Sequence, residues 1–196
     1  MAITVPASAG SLRQPPPMTP IATPPAFRLR SADPADVQAI AILHDDVWRA
    51  THQRWLASGA EVDPGLAHRR GLWSGVVAAG ALPVILAEDA DGALLGFAHA
   101  SACRDPDRDA RRTGELTAIH VAPAQQRRGL GSALLERAVA QLGAAGFSAV
   151  SLWVAAHNVV ARRFHHAHGF LDDGGRKHAP RSGFELVRYV RSVHRG

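Results

Sequence analysis

Lysine is almost missing from this chain. Lys177 is the only one in 196 residues, and the net charge of +5 is carried by arginine. A GC-rich coding sequence produces that bias, and a basic surface also draws polyanions such as phosphorylated cofactors. The arginines are scattered rather than massed in one arm, and aromatics make up only 6% of the chain. That pattern argues against nucleic acid as a partner. A single cysteine, Cys103, excludes an internal disulfide and makes a reducing cytoplasm the expected setting. Long apolar runs are absent as well. Val76 to Ala87 is the longest, too short to span a membrane and broken by Gly80 and Pro83, so no membrane partner is expected. With 46% apolar and 20% charged residues, the remainder is ordinary globular composition of one-domain size.

Residues 1–26 stand apart. Seven prolines, from Pro6 to Pro25, rule out a helix there and leave little apolar surface to bury, so the segment reads as a disordered tail. It lacks the basic start and apolar run of a signal peptide. A translation start at Met18 is the second reading, which intact mass would separate.

The domain expected over 27–196 opens with the alternating Phe27-Arg28-Leu29-Arg30, a strand. Asp33-Pro34 supplies a helix N-cap and a first-turn proline, and Val37, Ile40, Ala41, Leu43 and Val47 recur at helical spacing through Trp48. A second helix is predicted from Gly65 to about Ala79, with Leu66, Leu72 and Trp73 inward. Pro83 to Ala87 and Leu94 to Ala102 read as strands joined at Asp91-Gly92. The polar run Arg104 to Arg112 reads as a solvated loop, and Glu115 to Val121 as the next strand. A helix opens at Gly129 or Leu130, a nearly continuous apolar strand covers Ala149 to Ala155, and a short helix runs from Asn158 to His168. Phe170 to Asp172 and Phe184 to Val190 are the final strands, around a glycine- and proline-containing loop.

The most informative segment is Gln126-Arg127-Arg128-Gly129-Leu130-Gly131-Ser132, between a strand and a helix. A helix's first turn presents N–H groups without intrahelical partners, and glycines there let a ligand approach. The result is an anion site, with phosphate the obvious occupant. A Walker loop is excluded because Gly-Lys-Ser/Thr is absent. A dinucleotide fingerprint is excluded because Leu134 holds its third small position.

This turn resembles the acetyl-CoA motif of the GNAT superfamily of N-acetyltransferases, Gln/Arg-x-x-Gly-x-Gly/Ala after a strand, with Gln126, Gly129 and Gly131 in register. Leu152-Trp153-Val154, Asn158, Ala161, Phe164 and Gly169-Phe170 are similar to that family's second CoA-contacting region, and the likeness runs from about residue 27 to 190. The resemblance implies an α/β (α+β) fold. Its sheet would be mixed, mostly antiparallel and twisted, of about seven strands flanked by about four helices. The sheet would splay between the fourth and fifth strands, at 115–121 and 149–155. The cosubstrate implied is acetyl-CoA, its pantetheine along Ile119, His120 and Val121 and its pyrophosphate on the amides of Arg127 to Ser132. Arg162 and Arg163 either approach the cofactor or form a solvated helix face. The acceptor implied is an amine, on a small molecule or peptide. Dimers are common among similar proteins, and the final strands offer an edge for a homodimer.

Amine acetylation by direct attack needs a neutral amine and a proton for the departing thiolate. Glu115 is the first candidate catalytic residue, since a glutamate on this strand often contacts the amine in the family. His120 lies an odd number of residues away, so an unbroken strand would turn it to the other face, unless a bulge intervenes. The family commonly follows the phenylalanine with a tyrosine acid. Here the pair is Phe164-His165, and the only tyrosine is Tyr189 in the last strand. His165 is therefore the candidate proton donor. The alternative is an acyl-CoA-binding or regulatory module that does no chemistry. His157, His165, His166 and His168 invite a metal reading, but no Cys, Asp or Glu completes a ligand spacing, so no metal is expected. Acceptor recognition is expected from residues 34–57, 65–79 and 103–113 and the final hairpin. Asp45, Asp46, Glu61 and Asp63 in and between these segments either attract a cationic amine or are solvated surface groups, and Arg104, Arg108, Arg111 and Arg112 either favour an acidic acceptor or pair with Asp105, Asp107 and Asp109.

Overall fold

The alternation after Phe27 becomes strand β1 (Arg28–Ser31). The computed structural model describes residues 27–52, 65–179 and 183–193. The proline-rich segment 1–26 lies outside them, as do Glu61 and Asp63. Asp33 caps a short 3-10 turn, Pro34–Asp36, through a reciprocal box with the Asp36 side chain, and helix α1 (Val37–His52) follows. Helix α2 (Gly65–Ala79) starts and ends where the periodicity predicts. Its inward face differs from the expected one. Trp73 is buried and Leu66 half-buried, but Leu72 is exposed and Arg69 is buried in its stead. The reason is geometric: 66, 69, 73 and 76 fall on one helical stripe, and 72 lies off it. Arg69 is tolerated inside because its guanidinium meets Asp45 at 2.6 Å.

Strands β2 (Ile85–Glu88) and β3 (Leu94–Ala102) form the expected hairpin. Gly92 has φ +83, and the Asp89 carboxylate accepts from the N–H groups of Asp91 and Ala93. Next come β4 (Thr113–Val121), α3 (Leu130–Ala144), β5 (Ala149–Ala155), α4 (Val159–Ala167), β6 (Leu171–His178) and β7 (Glu185–Ser192). They complete one seven-stranded sheet in the order β1-β2-β3-β4-β5-β7-β6. β6 runs further than expected, through Gly174 and Gly175. Its register with β7 shifts between Asp172 and Arg176, and that irregularity hides its alternation. As the outer strand it carries Asp172, Asp173, Arg176 and Lys177, charges that guard an edge.

Each face of the sheet has its own core. On one, Leu130, Leu134, Leu135, Ala138 and Leu142 of α3 pack on Ile85, Ala98, Leu116, Val150 and Leu152, with Phe164 of α4 alongside. Full burial of each leucine contributes about 1.5–3 kcal/mol. On the other, Ile40 and Leu43 of α1 and Trp73 of α2 pack on Leu86, Phe97 and Ala118. Over β5 and β7 on this second face, the 103–112 loop brings Asp105 to the Trp153 indole and the Arg188 guanidinium.

The pair that matters most is β4 and β5. All other neighbours in the sheet are antiparallel; these two are parallel and join only through Thr113–Ala149, Gly114–Val150 and Glu115–Ser151. Beyond Glu115 they part, and Leu116 to Val121 have no partner on the β5 side. The splay predicted between the fourth and fifth strands is present.

Candidate active site

β4 changes face midway. Leu116, Ile119 and Val121 all pack in the α3 core, whereas Ala118 packs in the α1–α2 core. An unbroken strand cannot do this, because Leu116 and Ile119 differ by an odd number of residues. The register explains it: His99 pairs with Ala118 and Ala100 with Leu116, so Thr117 is an extra residue in a bulge. The bulge brings Glu115 and His120 to the same face, which is the α1–α2 face. His120 stacks there against His44 at 4.5 Å and Phe97 at 5.1 Å between ring centroids. Burial, then the charges of His44, Arg69 and His52, push its imidazole down to about 3, so it is neutral near pH 7.

Glu115 sits where β4 and β5 separate and is 6% exposed. Its hydrogen bonds among the described residues come from Arg104 alone, whose Nε and Nη2 each stand 3.4 Å from one carboxylate oxygen. Both contacts are long for charge-assisted bonds, which usually span about 2.7–2.9 Å. A buried carboxylate is therefore held loosely by an exposed arginine.

His99, on the same face, is a residue that sequence reasoning missed. Thr117 donates its hydroxyl proton to the His99 carbonyl at 3.1 Å, so its oxygen must accept from the His99 Nδ1–H at 2.7 Å. That leaves Nε2 with the lone pair. Burial, with the Arg104 charge, lowers the pKa of this ring and keeps it neutral. The alternation of Phe97, His99 and Ser101 along β3 was the available signal.

The turn Gln126 to Ser132 follows β4 after a short 3-10 turn, Pro123–Gln125. Gln126 Nε2 donates to the Val121 carbonyl at 3.2 Å and ties the turn to the strand end. Arg127 adopts φ +66, uncommon for a residue with a side chain, and Gly129 adopts φ +82 as the N-cap of α3. A Cβ on Gly131 would touch the Phe164 ring at 3.5 Å, so α4 packs against the turn through a position without a side chain. Ser132 hydrogen-bonds His168 Nε2 at 2.9 Å, and His168 Nδ1 meets the Phe164 carbonyl at 2.8 Å. Asn158 caps α4 by accepting from the Ala161 N–H. Arg127 and Arg128 are exposed at the turn. Arg162 is engaged instead by Tyr189 and the Ala156 carbonyl.

His165, the candidate proton donor, lies on the inner side of α4. It is 5% exposed, edge-on to Phe164 and Phe170, and burial, then the His168 charge, lowers it to about 4. The imidazole is neutral at pH 7 and faces the core. The other three histidines of its group disperse. His157 pairs with His52 at 3.3 Å, His168 with Ser132, and His166 is exposed.

An unpaired strand edge leading into an amide turn is a surface that an extended, phosphate-ended molecule fits. A model of the acetyltransferase (GNAT) family matches residues 42–170. The chain belongs to that family. The GNAT protein is 30% identical, over 130 residues, to the uncharacterized N-acetyltransferase YuaI of Bacillus subtilis (strain 168), covering 66% of this chain and 72% of that one. The mycothiol acetyltransferase of Sanguibacter keddieii is 36% identical over 85 residues, 43% of this chain and 27% of that protein. Among solved structures, yncA from Salmonella typhimurium, determined with its cofactor acetyl-CoA, superposes with a TM-score of 0.64 at 22% identity, covering 87% of this chain and 95% of that one.

This GNAT protein is an acyl-CoA-dependent acetyltransferase. The amides of Gly129 to Ser132 open α3 without intrahelical partners, and the backbone of Ile119 to Val121 has no partner on the β5 side. Among the described residues, no helix of the acetyltransferase is long and apolar enough to cross a membrane.

Proposed function

We propose that this acetyltransferase moves the acetyl group of acetyl-CoA onto a primary amine by direct attack, with Glu115 holding the acceptor and helping to deprotonate it. The observation that carries this reading is a carboxylate 6% exposed, at the point where β4 and β5 part, held among the described residues by two long contacts from Arg104. A buried carboxylate so weakly compensated favours a cation, and the acceptor ammonium is one. Alkyl amines resemble lysine, with a reference pKa of about 10.4, so the ammonium must lose a proton before its nitrogen can attack. Glu115 directs that proton away, and the neutral His99 and His120 leave the nearby charge balance unaltered.

Acetyl-CoA supplies an activated thioester carbonyl. The nitrogen–carbon bond forms, the carbon–sulfur bond breaks, and the second proton that the attacking nitrogen sheds balances the one the thiolate takes up. A thiol with a reference pKa of about 8.5 leaves without a strong acid, and a neutral His165 facing the core suits a reaction that does not use one. In this reading Gln126 to Ser132 hold the pyrophosphate, with Asn158 and Phe164 shaping the α4 side. The reaction belongs in the cytoplasm, where the unpaired Cys103 is at home.

The test is release of CoA thiol across polyamines, amino acids, aminoglycosides and peptide N-termini, with acetyl-CoA binding followed separately by calorimetry. Turnover that falls about 10²–10⁴-fold in Glu115→Gln, with acetyl-CoA affinity retained, is the expected result. Tight acetyl-CoA binding with no turnover of any amine would instead make the chain an acyl-CoA-binding module.

A further inference from the structure

Arg104 belongs to a loop whose other charges are held in place. The buried Arg188 guanidinium draws Asp105, Asp107 and Asp173 around it at 3.2, 2.6 and 2.9 Å. Asp105 also accepts from the Trp153 indole and meets Lys177, which lies 3.8 Å over the Trp153 ring. Arg108 is bonded to Asp173. The two aspartates nearest Arg104 in sequence are thus engaged elsewhere, and Arg104 reaches Glu115 at the seam where β4 and β5 part.

That seam carries one positive and one negative charge, stretched apart. On the helices packed over this face, Asp45 is committed to Arg69 and Arg49. A dicationic acceptor would satisfy Glu115 and then set its second charge against Arg104, like against like. An acceptor with no charge but its ammonium would have to displace Arg104 from Glu115 and leave the guanidinium without a partner. A molecule with an ammonium and a carboxylate close together replaces the pair on both sides. We propose that the acceptor is an amino-acid-sized zwitterion, its ammonium on Glu115 and its carboxylate on Arg104. Arg104 is then the specificity-determining residue, released from Glu115 as the acceptor enters. The proposal rests on Glu115 as the acceptor-binding group.

The experiment measures CoA release for L-α-amino acids in matched pairs with their carboxamides. It uses the full chain, Arg104→Gln and Arg104→Lys. Calorimetry of the same pairs on CoA-saturated protein runs alongside. Wild type should favour the carboxylate member roughly 10- to 100-fold in kcat/KM, the value of a charge-assisted hydrogen bond. Arg104→Gln should raise KM for the carboxylate and lower it for the carboxamide, where the competing guanidinium is gone. Arg104→Lys should restore part of the preference, since it keeps the charge and loses the two-pronged geometry. A wild type that prefers carboxamides, or an Arg104→Gln that weakens both members alike, overturns the proposal. If nothing turns over, acetyl transfer to amines fails by itself and calorimetry still decides. Binding that needs both the carboxylate and Arg104 supports the zwitterion site, and equal binding of the two members ends it.

Discussion

At the scale of single residues, Gly129 and His165 make the sharpest demands. Gly129 holds φ +82 at the N-cap of α3 with open space where a Cβ would go, so substitution costs backbone strain and no clash. Gly129→Ala should lower unfolding free energy by about 1 kcal/mol or more. It should also weaken acetyl-CoA binding in calorimetry, because the amides after it re-aim. His165 links stability to pH. Its folded value, about 4, lies below the ordinary 6.5. As pH falls through that window the unfolded chain takes up a proton that the folded chain refuses, so stability present above pH 6.5 is lost toward pH 4. The loss is on the order of 3 kcal/mol for this group. Denaturant midpoints measured from pH 7 to pH 4 should fall less steeply in His165→Leu than in wild type; equal slopes would remove His165 from the account.

Elements carry the next level. The 103–112 loop is ordered by Arg188, whose side chain is only 7% exposed yet faces three aspartates. Arg188→Met leaves those carboxylates crowded together without their cation. It should cost about 3 kcal/mol by chemical denaturation, and Arg104 would lose its fixed mount. Sequence reading recovered α2, β3 and β5 nearly to the residue, because apolar periodicity and bounding glycines are strong local signals. The turn into α3 was legible because Gln126, Gly129 and Gly131 fall within one short segment. What escaped notice depends on neighbours distant in sequence. The length of β6 comes from pairing with β7 through an irregular register. Asp105 and Asp107 find Arg188 some 80 positions away rather than the arginines beside them. The bulge at Thr117 is invisible until β3 supplies a register, so the face shared by Glu115 and His120 could be posed from sequence only as a condition. Leu72 misled for a simpler reason, since a leucine just off the buried stripe looks much like one on it.

For the whole molecule, ligand linkage is the broadest prediction. Acetyl-CoA at about 100 times its Kd should add about 2.7 kcal/mol to unfolding free energy, read as a concentration-dependent rise in Tm, and CoA should do likewise. A flat Tm would contradict the cofactor fit of the turn and the β4 edge. The last consequence belongs to Lys177, lodged over Trp153 and beside Asp105. A protein that works with a reactive thioester is exposed to its own reagent, and every surface ε-amine is a site of self-inflicted acetylation. This one offers a single such target, already occupied with an indole and a carboxylate. Prolonged incubation with acetyl-CoA should therefore add at most one ε-acetyl group by intact mass. The same scarcity makes Lys177 the one ε-amine open to an amine-reactive probe, set beside the loop that carries Arg104.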